Sequence, residues 1–422
     1  MRRLGRFGAA AMLGVATVIL WSAPAHAAVG GEVEVGIDGN LDFDGAPGTV
    51  NTLTVTKSGT TVTLDDTHDI DITGNCVHPN AGDLTFVQCT VAPVSPDVTI
   101  EPGDMGDTVV IVGGGSVHWL IGPGDGNDTV NLLGVTVGGS NVNGGNGNDR
   151  ILSSPYGENI NGGADTDTVS YTDRACAVTV NLGTGTGGCA GENDALQNVE
   201  GVVGSDHDDT LTGGAGNDTL EGGPGDDTLS GGGGNDLLVG GVDTDVMSGG
   251  TGTDTASYWK HPAGVTASLD DTANDGMPGE NDHIEGDVEN LTGSTYGDTL
   301  SGNSAANAID GDAPPYPLAM IGYGAADVIF TNGGGDGVWG RGGDDTVYGS
   351  WGHDVIRGGY GDDELYGGGH EDALYGDAGE DTLWGGSGYD TLDGGSDLDW
   401  CHAEGEGAQK TNCERPLVIV WP

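Results

Sequence analysis

From residue 322 to 402 an apolar residue returns at every ninth position: Ile329, Val338, Val347, Ile356, Leu365, Leu374, Leu383 and Leu392. Cys401 takes that place in the last unit. Between the apolar residues the chain is mostly glycine and acid, as in Gly358-Gly359-Tyr360-Gly361-Asp362-Asp363-Glu364-Leu365-Tyr366. This pattern predicts a tight bend followed by a short strand over places seven to nine of each unit. Place eight points inward and its neighbours outward. Glycines at places one, two and four make the bend, because they can take positive φ. Two units close one coil, and coils stack about 4.8 Å apart through backbone ladders. A single coil cannot bury its own apolar residue, so stability must come from stacking.

A second phased block runs from 204 to 257. Residues 102–170 carry less regular units: Pro102–Val110 with Asp107, Pro123–Asn131 with Asp128, a full match at Gly144–Leu152 with Asp149, and Gly162–Ser170 with Asp165 at the fourth place. Two inserts, 171–203 and 258–292, break the phase and resemble each other. Val169-Ser170-Tyr171, Val178–Leu182, Gly191-Glu192-Asn193-Asp194 and Val199-Glu200 in the first match Ala256-Ser257-Tyr258, Val265–Leu269, Gly279-Glu280-Asn281-Asp282 and Val288-Glu289 in the second. Each is expected to be an excursion at the edge of the stack that re-enters the repeat. Residues 293–321 read as degenerate repeats and linker, and 403–422 as a C-terminal cap. Residues 28–101 differ: β-branched residues and Thr alternate in Leu53–Thr56 and Thr61–Leu64 around a turn at Lys57–Thr60, which predicts a small β-rich region.

Composition sharpens the picture. Glycine supplies 85 of 422 residues, about three times its usual share. The formal charge is −55, from 66 acidic against 11 basic residues. A chain so charged repels itself unless cations neutralise it. It also lacks the positive patches that nucleic acid or an anionic membrane requires. Residues 1–27 read as a cleavable export signal: Arg2, Arg3 and Arg6, an apolar run from Ala9 to Trp21, and a cleavage site at Ala25-His26-Ala27. No later segment is long and apolar enough to span a bilayer. A secreted location follows. The six cysteines fall into close couples, Cys76/Cys89, Cys176/Cys189 and Cys401/Cys413. In an exported chain this spacing favours three local disulfides.

The sixth place of the unit carries the candidate chemistry. Aspartate fills it at Asp209, Asp218, Asp227, Asp236, Asp245 and Asp254 in one block. In the other it stands at Asp327, Asp336, Asp345, Asp354, Asp363, Asp372, Asp381, Asp390 and Asp399. Stacking places Asp345, Asp363 and Asp381 on one edge, and Asp354, Asp372 and Asp390 on the other. Carboxylate files this close repel. Carboxylate and turn-carbonyl oxygens suit Ca²⁺, which converts the repulsion into a cross-link. At these residues the chain resembles the hemolysin-type calcium-binding repeat family, the repeats-in-toxin (RTX) proteins, whose nonapeptide is the known signature of the group. The resemblance covers roughly 102–402 and implies an all-β parallel β-roll (a β-solenoid). It implies ions between each bend and the bend two units later, held by the sixth-place Asp residues named above together with Asp128 and Asp149, and by backbone carbonyls. On the order of ten Ca²⁺ ions are expected. Asp165, Asp243 and His370 stand at the fourth place, where the family has glycine.

No catalytic site is expected. His370-Glu371-Asp372-Ala373-Leu374 is not a zinc-protease motif, and Ser387 lies between Gly385 and Tyr389 without completing a nucleophile elbow. One feature suits recognition. The outward ninth places of the last block carry Phe330, Tyr348, Tyr366 and Trp384 along one sheet, with Trp339 and Tyr375 on the other. Such a ladder implies either cross-strand support or a surface for a polysaccharide or cell-surface partner, with the roll as an adhesin's scaffold.

Overall fold

The computed structural model describes residues 29–36, 40–80, 82–91, 97–113, 117–136, 139–311, 326–404 and 408–414. The expected export signal, part of the linker at 312–325 and the closing 415–422 stretch lie outside the described residues. Among the described residues there is no helix. None of them forms a helix long and apolar enough to cross a membrane.

The chain winds as an all-β parallel roll. One face is a continuous parallel ladder. It begins with Thr52–Ser58 beside Thr108–Gly113, continues through Thr129–Val135, Arg150–Leu152, Thr219–Pro224 and Leu237–Val242, and ends with Thr391–Asp393 against Gln409–Thr411. The opposite face runs from Leu41–Gly45 and Asp97–Glu101 through Asn141–Asn146 and Asn159–Ala164. It ends in Thr299–Ser301, Thr346–Tyr348, Glu364–Gly369, Thr382–Ser387 and Trp400–His402. The register advances one coil at a time, pairing Leu365 with Leu383 and Ile356 with Leu374.

The interior is the stack of eighth-place side chains. Leu211, Leu220, Leu229, Leu238 and Met247, then Ile329, Val338, Val347, Ile356, Leu365, Leu374, Leu383 and Leu392, are all fully buried. Strands in the regular units are longer than places seven to nine. In Glu364–Gly369 and Thr382–Ser387 they run on through the first three places of the next unit, so the bend is confined to places four to six.

The N-terminal strands are built into the same stack. Val29–Val35 pairs antiparallel with Leu41–Gly45, and Thr52–Ser58, Thr61–Asp65 and Phe86–Thr90 form an antiparallel set over its first coils. Cys76–Cys89 ties Cys76–Val77 to Phe86–Thr90. Cys176–Cys189 closes the first insert, and Cys401–Cys413 closes the last described coil.

Both inserts have one layout. In the first, Thr179–Asn181 joins the downstream strand Thr210–Thr212, Thr186–Gly187 turns back antiparallel, and Asp194–Gln197 rejoins the upstream strand Asn159–Ala164. In the second, Thr266–Ser268 joins Thr299–Ser301, antiparallel bridges form at Thr266–Gly276 and Asp275–Asp282, and His283–Ile284 rejoins Val246–Thr251.

Candidate metal centres

Each bend is held by its aspartate. Oδ1 of a sixth-place Asp accepts the backbone N–H of the sixth-place residue one coil earlier: Asp209 N–H to Asp227 at 2.7 Å, Asp227 to Asp245 at 2.9 Å, Asp345 to Asp363 at 2.8 Å, Asp363 to Asp381 at 2.9 Å and Asp381 to Asp399 at 3.0 Å. The second edge repeats this from Asp218 to Asp236, Asp236 to Asp254, Asp336 to Asp354, Asp354 to Asp372 and Asp372 to Asp390. The file starts early, with Asp107 N–H on Asp128 and Asp128 N–H on Asp149, where the two residues are 21 apart instead of the later 18. Further along the same ladder, Asp298 N–H donates to Asp327 Oδ1. On the solvent side the fifth place forms a counter-ladder. Asp226 N–H donates to Asp208, Asn235 to Asn217 and Asp362 to Asp344.

The second carboxylate oxygen is the telling atom. Oδ2 of Asp128, Asp149, Asp227, Asp236, Asp245, Asp254, Asp336, Asp345, Asp354, Asp363, Asp372, Asp381, Asp390 and Asp399 is buried without a hydrogen-bond partner. Except in Asp128 and Asp336, whose units begin with Pro123 and Thr331, it lies against the first-place glycine of its own unit. A Cβ on Gly222 would stand 2.1 Å from Asp227 Oδ2 and 2.6 Å from the Gly240 carbonyl oxygen of the next coil. On Gly376 it would stand 2.2 Å from Asp381 Oδ2 and 2.4 Å from the Gly394 oxygen. First-place glycine is therefore required for space. The expectation that all three glycines take positive φ holds at most second and fourth places, as in Gly359 (119°) and Gly361 (128°), but not at Gly214, Gly216 or Gly352, and not at place one. Non-glycine residues at those places keep the bend: Asp165, Asp243 and His370 have φ of 79°, 82° and 85°.

Two of the expected sites differ from the rest. Asp209 Oδ2 accepts Ser205 N–H, and Asp218 Oδ2 accepts Gly214 N–H, both at 2.5 Å within their own units. In these first coils of the block the carboxylate closes the bend with a protein donor. Asp298 does the same with Ser294 N–H at 2.6 Å.

Electrostatics follow from the burial. Desolvation, then the charges of Asp282 and Asp227, pushes Asp245 up to about 9. Burial and the neighbouring Asp345 and Asp381 push Asp363 up to about 8. Burial holds Asp227, Asp372 and Asp381 at about 7. The hydrogen bond from the backbone pulls each the other way but is outweighed. Buried carboxylates with an unpartnered Oδ2, beside the backbone carbonyls of the next coil, form an oxygen-only set, the donor chemistry of a hard divalent cation such as Ca²⁺.

Several sixth-place residues are absent from the sequence-derived set. Asp167, Asp194, Asp282 and Asp298 occupy the same ladder, and Glu200 and Glu289 replace Asp where the inserts re-enter, accepting Asp167 N–H and Asp254 N–H. The signal for them was an acid two places before an inward Val, Leu or Ile. It was masked because the glycine pattern before each acid is broken, by Asp165 at the fourth place before Asp167, by Ser294 and Tyr296 before Asp298, and more completely in the inserts.

The RTX calcium-binding nonapeptide repeat, as a four-copy family profile, matches at residues 203–238, 221–256, 321–356, 348–383 and 375–405. No curated protein matches the chain. These two stretches, where sixth-place Asp and an inward eighth-place residue recur in phase, carry the RTX calcium-binding nonapeptide repeat.

Proposed function

We propose that this is an exported calcium-binding protein whose ions complete its fold outside the cell and stiffen it. The observation that carries the proposal is the row of buried Oδ2 atoms that have no protein donor, in a chain of net charge −55. Ca²⁺ between successive bends gives each of them a partner and removes the repulsion along the file. Asp128, Asp149, Asp227, Asp236, Asp245 and Asp254, and Asp336 through Asp399 at nine-residue steps, supply the carboxylates, with bend carbonyls completing each site. On the order of ten ions are bound. Asp209 and Asp218 close the first coils of their block instead. Three disulfides and the export signal expected at residues 1–27 support an oxidising, extracellular setting. The role is structural and not catalytic.

The polysaccharide or cell-surface reading is the weaker one. Phe330, Tyr348, Tyr366 and Trp384 stack face to face, with centroids 5.0, 4.8 and 4.4 Å apart and planes within 10°. Their faces are occupied by one another, which supports strand stabilisation.

Calorimetric Ca²⁺ titration of the chain beginning at Ala28, followed in parallel by circular dichroism, tests the proposal. The expected result is uptake of on the order of ten ions coupled to a gain of β-signal. A compact β-fold that persists unchanged in excess chelator, or no uptake at millimolar Ca²⁺, overturns it.

A further inference from the structure

The two inserts share a set of backbone hydrogen bonds, which makes one chemical difference between them legible beside the disulfide that only the first carries. Tyr171 and Tyr258 are both buried, and their carbonyls accept the N–H of Arg174 and of His261. Glu192 N–H bonds the Cys189 carbonyl, and Glu280 N–H the Met277 carbonyl. The Glu192 carboxylate accepts Cys189 N–H at 2.9 Å, and that of Glu280 accepts Met277 N–H at 2.6 Å. Asp194 Oδ1 accepts Glu158 N–H, and Asp282 Oδ1 accepts Asp245 N–H, both at 2.9 Å. Arg174 therefore corresponds to His261, Glu192 to Glu280 and Asp194 to Asp282.

In the first insert a fixed guanidinium neutralises the pocket and the tyrosine hydroxyl is satisfied, although Arg174 Nε itself has no hydrogen-bond partner. The Arg174 guanidinium lies 3.6 Å from Glu192, donates to Ser153 Oγ at 2.8 Å and contacts the Ser154 carbonyl. The Tyr171 hydroxyl donates to Asp194 Oδ2 at 3.0 Å. In the second insert the fixed cation is gone. His261, 4% exposed, has neither ring nitrogen hydrogen-bonded. Asp282 Oδ2 and the Tyr258 hydroxyl are also buried without partners. His261 Nε2 approaches Glu280 Oε2 to 3.3 Å without hydrogen-bond geometry. One ligand atom each from His261, Glu280 and Asp282 lies within 4.8 Å of the others. The two carboxylates converge on Gly276, where a Cβ would stand 2.5 Å from Asp282 Oδ2 and 2.7 Å from Glu280 Oε2. Two buried carboxylates without a cation are costly.

We propose that His261, Glu280 and Asp282 hold one divalent transition-metal ion of the zinc class, doing in the second insert what the Arg174 guanidinium does in the first. An imidazole nitrogen with two carboxylates is a three-ligand set that Zn²⁺ accepts, with a fourth position left open. The bends of the repeat offer oxygen alone and suit Ca²⁺. The site is thus chemically distinct from the calcium file, although Asp282 belongs to the ladder through Oδ1. The proposal stands independently of how many Ca²⁺ ions the bends take.

The test is Co²⁺ titration of the full calcium-saturated protein, with visible absorption and metal analysis, competed by Zn²⁺. The expected result is one Co²⁺ per chain with the intense absorption of a low-coordinate nitrogen–oxygen site, displaced by one equivalent of Zn²⁺. His261→Arg restores the residue type of the first insert. It should fold, keep its calcium uptake and lose that one equivalent. Glu280→Gln should lose it as well, and serves if the arginine variant does not fold. His283→Gln, on the neighbouring half-buried histidine that contacts Asp271, should bind as before. Absence of the absorption band in the unaltered protein overturns the site. So does a band that survives both His261→Arg and Glu280→Gln, or a band that is lost with His283→Gln.

Discussion

The first coils of the roll and its last block share a path but not a core. In Leu41–Gly45, Thr52–Ser58, Asp97–Glu101 and Thr108–Gly113, two side chains per strand point inward: Leu41 and Phe43, Leu53 and Val55, Val98 and Ile100, Val109 and Ile111, all fully buried. Trp119 is buried beside them. In the last block the second inward position belongs to glycine, as Leu365 is followed by Gly367 in Glu364–Gly369. Each unit also buries an aspartate. At about 25 cal/mol for each Å² of apolar surface removed from water, the first region carries its own stability. The block has given up half of that source and added desolvated charge. One winding geometry can therefore be held by oil or by ions, and only the second kind answers to calcium.

Chelation should break the comparison most visibly. In excess EDTA at neutral pH, backbone amides of 326–402 are expected to exchange hydrogen for deuterium almost completely. Those of 41–65, 97–113 and 117–121 should stay protected, because their cores do not depend on a cation. Hydrogen-exchange mass spectrometry reads both regions in one sample, and uniform protection or uniform loss would deny the contrast.

Next in size is a pair of glycine substitutions. In Gly358→Ala the new Cβ would stand 2.1 Å from Asp363 Oδ2, so the carboxylate must leave its place. A loss of at least about 2 kcal/mol is expected, together with weaker calcium uptake. Gly59, in the N-terminal hairpin turn, has φ of 60° and open space around its Cβ direction. Gly59→Ala should cost about 1 kcal/mol of backbone strain and leave calcium uptake untouched. Thermal melts in saturating calcium compare the two.

Acidity gives a smaller, signed effect. The unfolded carboxyls titrate near 3.8, whereas Asp363 and Asp245 are raised in the fold to about 8 and about 9, chiefly by burial. A raised folded value contributes stability that is full below the unfolded value and is lost as pH rises through the folded one. Without calcium the block should therefore melt at higher temperature at pH 5 than at pH 8. With calcium, which binds the ionised form, stabilisation by the ion should grow over the same interval. A calcium-free melting temperature that climbs from pH 5 to pH 8 would contradict this account.

The eighth-place apolar row, the sixth-place files and the three cysteine couples were legible in the sequence because each repeats at a fixed step or stands close in the chain. The family profile finds the two phased blocks by the same signal. What escaped was set by space. First-place glycine looks like a turn residue until Asp227 Oδ2 and the Gly240 carbonyl are seen beside Gly222. Glu200 and Glu289 escaped because the inserts displace them from phase. Asp209 and Asp218 looked identical to their neighbours, and only the Ser205 and Gly214 N–H groups at 2.5 Å set them apart. The kinship of His261 with Arg174 is implied by their equal spacing from Tyr258 and Tyr171, but what each does there is visible only through the matched hydrogen bonds.

The smallest expected effect concerns the one ornament the last block has and the earlier one lacks. The ninth places of 204–257 are Thr212, Glu221, Ser230, Val239, Ser248 and Ser257, whereas Tyr366 stacks between Tyr348 and Trp384 at 4.8 and 4.4 Å. If the ladder exists to hold exposed strands together, Tyr366→Ser removes two ring contacts and should cost about 1 kcal/mol. Calcium stoichiometry should not change. Tyr389→Ser, at a ring 67% exposed, should cost nothing measurable. The alternative gives a different signature: binding to an insoluble polysaccharide lost in Tyr366→Ser with the melting temperature unmoved. That outcome would make the aromatic face a recognition surface and the stacking a means of presenting it. A lowered melting temperature without any loss of binding would leave the rings as the block's substitute for the second row of apolar side chains that its interior no longer carries.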